Sequence, residues 1–162
     1  MTAPDVIKLV ARYAYAALAS AFVVAILLQV YFIGLGLFDG RQNLELHRNF
    51  GWLLHLGPLP ILVAAAGASA GRRQILQAAA LAVTFFIVPI LAAIRADAPY
   101  TAAFHPVAAL LGFLLATVVS RGAVGLIRSP DPEARTSIGQ WVLVALVVVV
   151  ILFLSFSGSP DA

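Results

Sequence analysis

Apolar residues fall along this chain in five long runs separated by short polar breaks. The first extends from about Tyr13 to Phe38, behind an amphipathic lead that carries Lys8 and Arg12. The second covers Leu44 to Ala70, the third Ile75 to Ile94, the fourth Thr101 to Val119 or slightly beyond, and the fifth Trp141 to Phe156. Each reads as a helix able to cross a hydrocarbon core about 30 Å thick. The first run is far longer than the roughly 7–15 residues of a signal-peptide core, so it reads as a membrane helix rather than a cleaved leader.

Three of the breaks are very short: Asp39-Gly40-Arg41-Gln42, Gly71-Arg72-Arg73 and Asp97-Ala98-Pro99-Tyr100. Short connections make successive helices antiparallel neighbours. The longest break, Arg128 to Ser137, contains Pro130 and Pro132, which stop any helix there. The expected fold is therefore all-α, an integral membrane antiparallel four-helix bundle over residues 1–128. Residues 129–162 add a polar connection, a fifth, peripheral transmembrane helix and a short external tail.

Composition strengthens this picture. Of 162 residues, 62% are hydrophobic and only 10% charged, where a soluble domain carries about a quarter. A chain this small cannot hide so much apolar surface in its own core, so the lipid bilayer is its first partner. The net charge of +3 does not indicate nucleic acid, because the basic residues are scattered through the connections without a dense patch. They act instead as topology determinants. With the N-terminus inside, Lys8, Arg12, Arg72, Arg73, Arg121, Arg128 and Arg135 share the inner side, and Arg41, Arg48 and Arg95 the outer. That bias predicts a cytoplasmic N-terminus and an external C-terminus. The absence of cysteine removes disulfides, thiolate metal sites, iron–sulfur clusters and thiol nucleophiles.

This topology gathers all three histidines in the outer half: His47 and His55 on the second segment, His105 one turn into the fourth. Imidazole is the usual axial ligand of haem iron in membrane cytochromes, and a haem between two antiparallel helices takes one ligand from each. Small residues beside the ligands would let the macrocycle approach. On the fourth segment His105, Ala108, Ala109, Gly112 and Ala116 form one small-residue stripe, and Gly51 lies one turn from both His47 and His55. Such stripes also serve ordinary helix packing in lipid. A helical ruler drawn from the inner arginines selects His55 as the partner of His105. His55 lies seventeen residues before Arg72, and His105 sixteen before Arg121.

The string Glu45-Leu46-His47-Arg48, followed by Gly51, resembles the Glu-x-x-His-Arg pattern in the second helix of haem A synthase, with one residue fewer between Glu and His. Phe104-His105-Pro106-Val107-Ala108-Ala109 is similar to that family's histidine at the outer end of a fourth helix. The chain over about residues 10–125, including Gln29-Val30-Tyr31-Phe32-Ile33-Gly34-Leu35-Gly36, looks still more like a family of small bacterial four-helix membrane proteins of uncharacterised role. The resemblance implies a haem b bundle in a bacterial plasma membrane, ligated by His47 and His105. His55 is then the alternative ligand or a hydrogen-bonding group of the pocket. Haem A synthase contains two such bundles and this chain one, so the synthase activity is not implied.

Arg48, Arg41 and Arg95 would lie where haem propionates emerge, although arginines there also snorkel to headgroups. Gln29 reads as an interhelical hydrogen-bond donor, and Trp52, Tyr100 and Trp141 as interfacial anchors. No nucleotide loop, nucleophile elbow or acidic metal cluster is present, so no enzymatic activity is assigned. The expected function is a small membrane b-type cytochrome that transfers electrons near the outer face, alone or with other membrane or redox subunits. The alternative is a cofactor-free accessory subunit of a larger membrane complex, favoured by the featureless fifth segment. A three-histidine zinc site and a transporter have weaker support, since no acid matches the histidines and none lies deep in a segment.

Overall fold

The structure, a computed structural model, describes residues 3–129 and 135–157. The expected helix stop at Pro130 and Pro132, and the tail after 157, lie outside these residues. Every regular element among them is helical. Helix α1 spans Ala3–Phe38, α2 Leu44–Leu54, α3 Pro58–Gly67, α4 Gly71–Ala93, α5 Pro99–Ala102, α6 His105–Arg128 and α7 Ile138–Ser157, with a 3-10 turn at Arg41–Asn43. They supply five helical spans long and apolar enough to cross a membrane, α2–α3 and α5–α6 each forming one span.

Two boundaries depart from the sequence expectation. Helix α1 begins near residue 3, so the amphipathic lead is part of the same rod; its 36 residues rise about 54 Å, well beyond a ~30 Å core. The second span breaks at 55–57, where Gly57 precedes Pro58. Proline cannot donate to the preceding turn and is well suited to opening the next helix, so the chain restarts there as α3. For the same reason α6 begins at His105 itself, with Pro106 in its first turn, rather than one turn earlier.

Helices α1, α3, α4 and α6 form a closed ring, each packed on two neighbours, with α2 continuing the second side along α1. The ring closes over Tyr15, Ala19, Leu62, Ala65, Leu81 and Val119, all nearly or fully buried. Alanines dominate because close helix approach in lipid favours small side chains. Ser20 and Ser120 share a 2.9 Å hydrogen bond across the α1–α6 seam. Helix α7 lies outside the ring against α3 and α4, seated through Val144 and Ile151. Most of its side chains face outward, as do many on the ring helices α1 and α6, so lipid is its principal solvent.

The α3–α4 reversal is closed by a left-handed cap. The Ala70 N–H donates to the Ala65 carbonyl and the Ser69 N–H to the Ala66 carbonyl, each at 3.1 Å, with Ser69 at φ 54. This is the Schellman arrangement, which ordinarily takes glycine at the left-handed position. Ser69→Gly is therefore expected to stabilise the folded chain by about 1 kcal/mol, read as a raised unfolding midpoint in detergent. A lowered midpoint would show that the serine side chain offsets its backbone cost.

Candidate functional site

The ring topology sends the histidine-bearing ends of α2 and α6 to the same end of the bundle, away from Arg72. There the rings of His47 and His105 approach to a centroid separation of 6.5 Å, their planes at 78°. Both imidazoles are partly buried. Each is anchored to a different neighbouring helix. His47 Nδ1 lies 3.0 Å from the Gln29 carbonyl of α1, and His105 Nδ1 lies 2.8 Å from the Val88 carbonyl of α4.

These contacts fix the chemistry of both rings. A carbonyl can only accept, so each Nδ1 must carry the proton and donate it; in the neutral imidazole the lone pair then resides on Nε2. That is the arrangement in which metal-bound histidines are usually held, one nitrogen donating to the protein and the other free for the ion. The anchoring of His47 is doubled, because the Gln29 side-chain Nε2 donates to the His47 carbonyl at 2.7 Å. Gln29 is thus the interhelical donor its sequence context indicates, and its target is the backbone of a candidate ligand.

His55 does not join the pair. It is buried, with 9% of its surface exposed, in the break after α2, where Nδ1 meets the Trp52 carbonyl and the ring stands edge-on to Trp52 at 5.4 Å. The helical ruler fails for two physical reasons. Arg72 belongs to the next helix, since α3 ends at Gly67 and residues 68–70 reverse the chain. And Gln74 packs beside Gly122, so Arg72 is level with a point beyond Gly122 rather than with Arg121. His105 therefore stands about 26 Å above Gly122, whereas His55 is only about 18 Å above the end of α3. The position level with His105 falls one helical stretch earlier, at His47.

The two glycines expected to admit a macrocycle admit protein side chains in this structure. A Cβ on Gly51 would meet Gln29 Nε2 at 2.8 Å, and one on Gly112 would meet Phe85 Cε2 at 2.8 Å. Gly51 thus makes room for the Gln29 clasp, and Gly112 for Phe85, which stands edge-on to Phe22 at 4.7 Å. Arg48 lies beside His47 in sequence but on another helix face, in a 3.8 Å ion pair with Glu45; both side chains are about two-thirds exposed or more. Such a pair contributes little and leaves the guanidinium accessible. Arg95 donates to the Ala92 carbonyl at 3.3 Å. Among the described residues no three histidines or acids converge as a metal cage, so the histidine pair is the feature to be explained.

A family model, described as a family of unknown function (DUF6220), matches residues 29–95. The matched stretch opens at Gln29 and takes in His47, Gly51, His55 and Val88, while His105 lies outside it. No curated protein and no solved structure matches the chain. The likeness to one half of haem A synthase thus rests on the strings quoted above and has no counterpart in these matches.

Proposed function

We propose that the chain is a small membrane b-type cytochrome, with haem b held by His47 and His105 and single electrons passed at that end of the bundle. The observation that carries this reading is the paired imidazoles, each with Nδ1 committed to a main-chain carbonyl and Nε2 left free. The donor set fits the group: two imidazoles from two helices, each with Nδ1 donating to a main-chain carbonyl, would supply two nitrogen ligands. When bound, the haem supplies a one-electron couple.

The chain's own part is positional. The Gln29 and Val88 carbonyls set the tautomers and tie each ring to a neighbouring helix. The lipid-embedded helices exclude water, and Arg48, with Arg41 nearby in sequence, offers guanidinium groups for propionate carboxylates. In this reading the end bearing Lys8, Arg12, Arg72 and Arg73 faces the cytoplasm and the histidine end faces outward. Five spans then carry the C-terminus to the external side of a bacterial plasma membrane.

Electron transfer is tested by a redox titration of the purified chain followed optically. A reversible one-electron transition is expected. Haem that binds but cannot be cycled between oxidation states would leave a haem-binding protein without the transfer function.

A further inference from the structure

At the end of the bundle opposite the histidines, Arg72 and Arg73 occupy the first turn of α4. The free N–H groups of a helix start already present partial positive charge, so two cations there oppose both the helix dipole and each other. Among the described residues neither arginine makes a hydrogen bond or an ion pair, and both side chains are exposed.

Two grooves descend from these arginines along the sides of α4. The one toward α6, of about 520 Å³, is walled by Leu76, Ala80 and Leu115 beneath Arg72 and Arg73. The one toward α7, of about 600 Å³, is lined by Leu76 and Leu143 but also by Ser137, Gly139 and Gln140 beside Arg72. Arg72 and Leu76 line both, so two grooves diverge from one cationic head, the one toward α6 apolar and the one toward α7 of mixed polarity. The groove walls belong to spans whose outer surface is apolar enough for lipid.

We infer that this is a binding site for an anionic phospholipid, with its phosphate on Arg72 and Arg73 and an acyl chain in the apolar groove toward α6. Arginine suits phosphate because its planar fork donates paired hydrogen bonds to two oxygens, and basic clefts between membrane helices are suited to anionic headgroups. The apolar walls select a lipid over a free phosphate ion, which gains nothing from them. An arginine that merely snorkels to the bulk headgroup layer responds to total charge at that end of the bundle. A site depends instead on these two arginines and on the shape of the grooves, independently of the histidine pair.

The test is native mass spectrometry of the full chain in mild detergent with phosphatidylglycerol or phosphatidylcholine of matched acyl chains. Phosphatidylglycerol is expected to be retained at about one per chain and more strongly than phosphatidylcholine. Arg72→Gln with Arg73→Gln is expected to weaken retention roughly 25-fold, about fivefold for each charge. Arg121→Gln with Arg128→Gln removes the same charge from the same end without touching either groove, and is expected to weaken retention clearly less. Leu115→Trp fills one groove at constant charge and is expected to reduce retention as well. Equal losses from the two arginine pairs, unchanged retention in Leu115→Trp, or displacement by equimolar inorganic phosphate would each overturn the site.

Discussion

His105→Ala is expected to abolish the low-spin haem spectrum of the purified chain, and His47→Ala to do the same. His55→Ala is expected to keep it. The first two substitutions remove a free Nε2 from the pair whose rings stand 6.5 Å apart. The third removes a ring held against Trp52, away from the pair. A lost axial ligand changes spin state or empties the site, whereas a changed neighbour only tunes the potential. Gln29→Leu separates positioning from ligation. It deletes the 2.7 Å bond to the His47 carbonyl but leaves the Gln29 main-chain carbonyl that accepts from His47 Nδ1, so haem should be retained with a shifted potential. The measurement is haem content and the visible spectrum of each variant, after confirming that it elutes like the wild type. Haem kept in His47→Ala but lost in His55→Ala would overturn the assignment.

The second large effect concerns the fold. Gly112→Leu is expected to destabilise the bundle by about 1–3 kcal/mol, read as a lowered unfolding midpoint in detergent. A Cβ at Gly112 would stand 2.8 Å from Phe85 Cε2 and 3.3 Å from both Phe85 Cζ and Thr84 Cγ2. The Phe85 ring has little freedom to yield, because Phe22 stands against it at 4.7 Å and it is 95% buried. The α4–α6 seam must therefore open, and with it the hold of Val88 on His105. Gly34→Ala is the matching control. Nothing lies within 4 Å of its added Cβ, and replacing glycine inside a helix stabilises by up to about 1 kcal/mol. Equal stability in Gly112→Leu and wild type would show that α4 and α6 separate more easily than the packing implies.

The five spans were legible because membrane crossing depends on length and apolar composition, both of which survive in a bare sequence. The break before Pro58 was missed, because hydropathy runs through it unbroken from Leu44 to Ala70 and registers neither the proline nor the end of α2. The pairing of His47 with His105 was harder to read. A helical ruler requires an unbroken rod and a shared reference level, and the chain has neither: α2 and α3 are separate, and Arg72 and Arg121 are not level. The likeness to a known two-histidine pattern selected His47 by a different route. The carbonyls of Gln29 and Val88, which set the tautomers, could not have been found in the sequence, because every residue carries a carbonyl and only the fold selects two. The left-handed Ser69 is equally silent, since serine carries no preference for that conformation. Gly51 and Gly112 were visible as small residues, but what fills the space beside each depends on Gln29 and Phe85, which come from other helices.

The central claim is that the paired imidazoles hold a haem, and the optical spectrum of the wild-type chain purified from haem-replete cells tests it most directly. The account predicts a coloured protein with about one haem b per chain, a Soret band and the sharp reduced α band of low-spin, doubly nitrogen-ligated iron. A colourless protein that is folded and monodisperse, and that takes up no haem when it is added, would contradict it. That result would favour a cofactor-free accessory subunit instead.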